Sequence, residues 1–148
     1  MKSVVICDVD GTLSDNSARR HYVEKVAGKK NWKAFFAAQH LDPLNVEVAR
    51  TFEALTKSLG YGFIFSGRGE EHREVTEAWL EEHEIEYDLL LMRPRGDHRQ
   101  DSVVKLEMLT DVREQGYFPR IAIDDRNCVV AMWRSEGLTC LQVADGDF

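Results

Sequence analysis

Five short apolar runs punctuate the chain: Val4-Val5-Ile6-Cys7, Tyr61 to Phe65, Tyr87 to Met92, Ile121-Ala122-Ile123 and Leu138 to Val143. Each is continuous rather than alternating, which is the pattern of a strand covered on both faces. Between them, apolar residues recur at helical spacing. Val48, Phe52, Leu55 and Leu59 form one such set, closed by Gly60. Val75, Ala78, Trp79 and Leu80 form a second, Val104, Met108, Leu109 and Val112 a third ended by Gly116, and Val129, Val130 and Trp133 a fourth. Strand–helix alternation of this kind predicts an α/β fold, a Rossmann-like parallel sheet flanked by helices. Ligands bind such sheets beyond the carboxyl ends of the strands, so the residues after each apolar run are the ones to inspect. The stretch from about 14 to 44 breaks the alternation and carries Tyr22, Trp32, Phe35 and Phe36. It predicts a small helical insert after the first strand, at the mouth of the site. Without repeats, low-complexity tracts or a linker, residues 1–148 are expected to form a single domain.

Composition narrows the class. With 148 residues and 43% hydrophobic positions, the chain can bury a core, and wholesale disorder is excluded. No window approaches the roughly 18 apolar residues of a membrane span. Asp8 follows the first apolar run too early for a signal peptide. Three cysteines, Cys7, Cys128 and Cys140, lack Cys-x-x-Cys spacing, which argues against a disulfide framework or a thiolate zinc site and suits a reducing cytoplasm. The net charge is −7, but residues 70–86 hold eight glutamates and one arginine, a local −7. The remaining residues balance to zero, so the acidity is one face and does not exclude a polyanionic partner.

Candidate chemistry gathers at the predicted strand ends. Asp8-Val9-Asp10-Gly11-Thr12 follows the first run, and two carboxylates two residues apart face the same way as a strand ends. An Asp-Gly hairpin would need a second alternating strand at once, and Leu13 to Ser17 is not one. Ser66-Gly67-Arg68-Gly69 follows the second run and is expected to open a helix whose N-terminus, with the Ser66 hydroxyl, suits phosphate; a simple serine N-cap is the alternative. Asp101 and Lys105 are four apart on one helix face, which alone would be a surface ion pair. Asp124-Asp125 follows the fourth run, and adjacent carboxylates there are costly unless something positive is near. With Asp8 and a main-chain carbonyl from the end of the first strand, they suggest an oxygen-rich magnesium site.

Asp8-Val9-Asp10-Gly11-Thr12, Ser66, Lys105 and Asp124-Asp125, in that order, resemble the four motifs of the haloacid dehalogenase superfamily of phosphohydrolases. Ser66-Gly67-Arg68, Arg93, Gly96 to Lys105, Ala122 to Arg126 and the tail from Val129 to Phe148 are similar to the 3′-phosphatase branch represented in bacteriophage T4 polynucleotide kinase. The resemblance covers residues 1–13 and roughly 58–148. No Gly-x-x-x-x-Gly-Lys-Ser/Thr loop occurs, so the expectation is a phosphatase without a kinase domain.

The resemblance implies a Mg2+-dependent phosphatase that removes the 3′-terminal phosphate from DNA or RNA ends through an aspartyl-phosphate. It implies Asp8 as nucleophile, and Asp10 as acid then base, with a pKa raised by Asp8. Ser66 and Lys105 would hold phosphoryl oxygens. Asp8, the main-chain carbonyl of Asp10, and Asp125 would hold the metal, with Asp124 beside it. Arg19, Arg68 and Arg93 would meet substrate phosphate, and Asp101 would orient Lys105. The partners implied are nucleic-acid 3′ ends or nucleotides, with a homodimer left open and no membrane. Arg95, His98, Arg99 and Arg20-His21 could serve an end-binding enzyme or simply pair with glutamates. The insert aromatics could stack a terminal base or form insert core, and His40, His72 and His83 are expected to face solvent. A small-molecule nucleotidase of the same superfamily is the main alternative. A phosphoacceptor receiver domain ranks lower because its acid pair sits at the first strand, and a non-catalytic nucleic-acid-binding module ranks lower because every chemical group is present.

Overall fold

The computed structural model describes residues 1–24 and 29–148. Its elements follow the alternation read from the sequence: β1 (Lys2–Cys7), α1 (Trp32–Ala37), α2 (Val46–Leu59), β2 (Gly60–Gly69), α3 (Arg73–Glu82), β3 (Leu89–Arg93), α4 (Asp101–Glu114), β4 (Tyr117–Asp124), α5 (Asn127–Ser135) and β5 (Thr139–Gln142). The five strands form one parallel sheet in the order β3-β2-β1-β4-β5. Period-two alternation along β1 sends Val4 and Ile6 to one face and Val5 and Cys7 to the other. The first face packs on Val104, Met108, Leu109 and Val112 of α4 and Val129, Val130 and Trp133 of α5. The second packs on Phe52 of α2 and Trp79 and Leu80 of α3. Both faces are covered, which is why the strands read as unbroken apolar runs.

The chain steps from β1 outward through β2 to β3, then returns past β1 to β4 and β5. The strand order therefore reverses around β1, and a crevice opens beyond its carboxyl end. The β1–β4 ladder continues one residue further, because the Asp8 N–H donates to the Ile123 carbonyl at 3.0 Å. That bond brings the residue after β1 beside the last residue of β4.

Two strands differ from the pattern. β4 starts at Tyr117, ahead of Pro119, and Pro119 lacks the N–H an internal strand needs. The register shift between Val4 and Val5 accommodates it. β2 runs on through Ser66-Gly67-Arg68-Gly69 instead of opening a helix there. A register break lies between Ser66 and Gly69, and Gly69 pairs with Arg93 of β3. A 3₁₀ turn, Glu70–His72, then leads into α3. Ser66 thus lies within β2, just ahead of its register break, and no helix N-terminus lies at it.

The insert is helical as expected: a 3₁₀ segment Ser17–Tyr22, α1, and a second 3₁₀ segment Gln39–Leu41. A bridge between Ser14 and Leu44 stitches the flanks of this segment together. Among the described residues no helix is long and apolar enough to cross a membrane.

Ile64, on the central part of β2, is fully buried between β1, β3 and the helices of the second face. Ile64→Ala is expected to lower unfolding stability by about 2–5 kcal/mol, read as a lower urea midpoint with an unchanged m-value. A loss below 1 kcal/mol would contradict this packing.

Candidate active site

Three carboxylates and one ammonium meet at the carboxyl ends of β1 and β4. Asp8, Asp124 and Asp125 each offer an oxygen within 4.8 Å of the others, and all three are buried. Lys105 reaches them from the first turns of α4. Its Nζ donates to Asp8 Oδ1 at 2.7 Å and to Asp124 Oδ2 at 3.0 Å, and lies 3.5 Å from Asp101 Oδ2. Lys105 is fully buried, so the Asp101–Lys105 pair is no surface ion pair. Asp101 also accepts from Arg93 and packs against Gly67.

The cluster is short of positive charge. Burial, then the Asp124 charge, raises Asp8 well above the usual carboxylate range, although Lys105 acts against them. Burial and Asp124 push Asp125 up to about 6. Burial alone would lower Lys105, but Asp101, Asp124 and Asp8 outweigh it, so its proton is held firmly. Buried oxygen donors sharing too little positive charge suit a hard divalent cation, which such donors favour. The donor set therefore fits a divalent cation.

Neighbouring groups fix the carboxylates in place. Asp124 Oδ1 accepts the Asp125 N–H at 2.9 Å, and its Oδ2 also accepts Trp133 Nε1–H at 3.2 Å. Thr12 Oγ1 donates to Asp8 Oδ2 at 2.9 Å. Gly11 has φ +78°, and a Cβ there would lie 2.2 Å from Asp125 Oδ2; only glycine meets both demands. The tail closes over the other side. Gln142 Nε2 donates to the Asp125 carbonyl at 3.0 Å, and a Cβ on Gly146 would fall 1.8 Å from that same oxygen.

Ser66 is buried beside the cluster, and its Oγ accepts the Arg68 N–H at 3.1 Å. Its own hydroxyl proton has no acceptor among the described residues, which leaves it available to an incoming oxygen.

Asp10 departs from expectation. From the sequence, the neighbouring Asp8 charge is expected to raise its pKa. Instead, two guanidinium groups grip it. Arg68 donates from Nε to Asp10 Oδ2 at 3.0 Å and from Nη2 to Oδ1 at 2.7 Å, and Arg19 Nη2 donates to Oδ1. Burial would raise Asp10, but Arg68 and then Arg19 outweigh it and hold the carboxyl well below its ordinary range. The Asp10 side chain accordingly lies outside the three-carboxylate group, and only its main-chain carbonyl remains a candidate ligand.

The arginines read as substrate contacts are heavily committed. Arg19 is 2% exposed and donates to Asp42, Asp10 and the Phe35 carbonyl. Arg68 spends its remaining named bond on Thr76 Oγ1. Arg93 donates to the carbonyls of Gly67, Asp97 and Arg99. It therefore braces the loop between β3 and α4. Arg99 pairs with Asp97 and Glu107, so pairing with acids accounts for it.

The sequence reading missed Asp42, Thr76, Trp133 and Gln142. Asp42 is 23 residues from the arginine it holds, and nothing in the local pattern marks it. Thr12 stood inside the first motif without a role.

A five-stranded parallel sheet with acids at the ends of its first and fourth strands is the arrangement of haloacid dehalogenase-type hydrolases. A hydrolase from Streptococcus pneumoniae TIGR4 shares the fold at TM-score 0.63 and 17% identity, over 98% of this chain and 95% of that one. A haloacid dehalogenase-like family protein from Streptococcus pneumoniae does so at TM-score 0.65 and 15% identity, over 94% of this chain and 83% of that one. The family described as polynucleotide kinase PNKP phosphatase domain matches residues 2–148, and the chain belongs to it. It is thus a phosphatase domain of the phosphoric monoester hydrolase class. A chain in the structure of a Pnkp1/Rnl/Hen1 complex is 39% identical with TM-score 0.83, covering 100% of this chain and 48% of that one. A protein of Autographa californica nuclear polyhedrosis virus, assigned as a bifunctional polynucleotide kinase/RNA ligase, is 28% identical over 132 residues, 88% of this chain and 17% of its own length. The chain therefore spans about half, or less, of these two relatives.

The charge shortage yields a pH-dependent cation effect. Asp125's folded value lies above its ordinary one, so it favours the folded state when protonated, and that contribution fades as pH climbs from about 4 to about 6. A divalent cation competes with that proton. The rise in Tm on adding the cation should therefore be larger well above pH 6 than well below it, and Asp125→Asn should shrink it. A rise independent of pH would contradict the assignment.

Proposed function

We propose that this phosphatase domain is Mg2+-dependent and removes the 3′-terminal phosphate from nucleic-acid ends, with Asp8 as nucleophile. The observation that carries this reading is the buried Asp8, paired to Lys105 at 2.7 Å and facing Asp124 and Asp125. Family membership and the relatives named for polynucleotide kinase and RNA repair support the substrate class.

The Asp8 carboxylate oxygen attacks phosphorus, and the bond from phosphorus to the 3′ oxygen breaks. Asp10 gives its proton to that oxygen. It then takes a proton from the water that attacks the aspartyl-phosphate, which frees inorganic phosphate and restores Asp8. As gripped by Arg68 and Arg19, Asp10 is ionised, the form needed for the second step. For the first step it must gain a proton. Substrate phosphate competing for Arg68 would loosen the grip and permit this. Lys105 and the free Ser66 proton would hold phosphoryl oxygens as charge redistributes. Asp101 and Asp124 position Lys105. Asp8, Asp125 and the Asp10 main-chain carbonyl would hold Mg2+, which offsets the repulsion between an attacking carboxylate and a phosphate anion.

A phosphate-release panel tests the reading: 3′-phospho-DNA, 3′-phospho-RNA, 5′-phospho-oligonucleotides, and 3′- and 5′-mononucleotides, each with Mg2+. Preferential release from 3′-phosphorylated oligonucleotides is expected, with Asp8→Asn folded but without measurable turnover. Preference for mononucleotides would overturn the substrate in favour of a nucleotidase. Substantial Asp8→Asn turnover would overturn the mechanism.

A further inference from the structure

An open groove of about 460 Å³ on the insert contains none of the catalytic carboxylates; Trp32, Lys33, Phe36, Gln39, His72 and Val75 line it. Its walls are ring faces. Trp32 and Phe36 are nearly parallel, at 24° and 5.8 Å between centroids, and Phe36 and His72 are stacked at 23° and 4.7 Å. His72 is thus a half-buried wall residue, not the solvent-facing side chain first expected. Trp32 is 45% exposed, an unusual position for tryptophan without a partner.

One residue lining the groove also carries a buried polar atom without a partner. Gln39 is 3% exposed, and its Nε2 meets His72 Nδ1 at 3.1 Å. Its Oε1 is the buried side-chain polar atom left unpaired among the described residues. An unpaired buried acceptor is costly, and a ligand N–H would relieve it.

We propose, building on the nucleic-acid reading above, that this groove takes the terminal nucleobase of the phosphorylated end. A base has a flat face that the exposed part of the Trp32 ring, held in place by its stack on Phe36, can take up, and every base with an exocyclic amine or ring N–H can donate to Gln39 Oε1. Charge agrees with this occupant. Residues 14–44 carry six basic and three acidic side chains, a net +3 in a chain of −7. Lys30 lies 5.5 Å over the Trp32 ring, and Lys33 lines the groove, both placed for backbone phosphate.

The groove joins the catalytic cluster through its own walls. The Arg19 guanidinium that grips Asp10 lies 4.2 Å over Phe35, which meets Phe36 edge-on. A base seated here therefore sits on the side of the residue that must protonate its sugar oxygen.

The test compares kcat/KM for a 3′-phosphorylated oligonucleotide, the same strand with an abasic 3′-phosphorylated terminal residue, and p-nitrophenyl phosphate. The protein should favour the base-bearing end over the abasic end by roughly 10- to 100-fold. Trp32→Ala and Phe36→Ala should each cut that preference by about 10-fold or more, while Trp32→Phe keeps most of it. Equal rates on base-bearing and abasic ends, or equal losses on all three substrates, would overturn the proposal. Fluorescence separates this from failure of the substrate reading, because Trp79 and Trp133 are buried and Trp32 is not. A 3′-hydroxyl oligonucleotide should quench the native protein's emission but not that of Trp32→Phe. Absence of that difference contradicts the groove whatever ester the enzyme cleaves.

Discussion

The Lys105 ammonium is the interaction on which the site depends. It is buried, it holds Asp8 and Asp124 together, and it stands alone against three carboxylates. Breaking a buried pair by removing one partner costs more than a surface bridge is ever worth, because the charge left behind cannot be solvated. The sheet order makes the meeting possible, since β1 and β4 are neighbours whose ends stop at the same level. The remaining shortage of positive charge leaves oxygen ligands ready for a divalent cation.

Around this centre the chain spends its arginines on positioning. Arg68 and Arg19 grip Asp10, while Arg93 ties the loop before α4 to the bulged end of β2. Arg19 is also the link to the insert, through Asp42 and the ring of Phe35. The insert therefore supplies one of the two guanidinium groups that grip Asp10. Substrate entry that draws Arg68 away from Asp10 would change the protonation of that residue at the moment it is needed.

The fold was legible because β1, β2 and the end of β4 are covered on both faces, which writes continuous apolar runs between helical periods. The acid motifs were legible because the Rossmann-like rule places chemistry directly after those runs. What the sequence hid was mostly long-range. Asp42 and Thr76 matter only through arginines far from them in the chain. Ser66 to Gly69 read as a helix start because glycine and serine favour such turns, but pairing of Gly69 with Arg93 keeps the segment extended. Asp10 looked like an acid with a raised pKa because Asp8 was its visible neighbour. Two guanidiniums brought in by folding reverse the sign. Sequence spacing records charges nearby along the chain and is blind to those that arrive through space.

The most direct test of the account is where the phosphoryl group resides during turnover. Radiolabelled substrate should be acid-quenched with the protein, digested and mapped by mass spectrometry. The account predicts an acyl phosphate, labile to hydroxylamine, on Asp8 within the tryptic segment 3–19. A label on Ser66 or on a histidine, or no covalent label under conditions where Asp10→Asn slows breakdown of the intermediate, would contradict it.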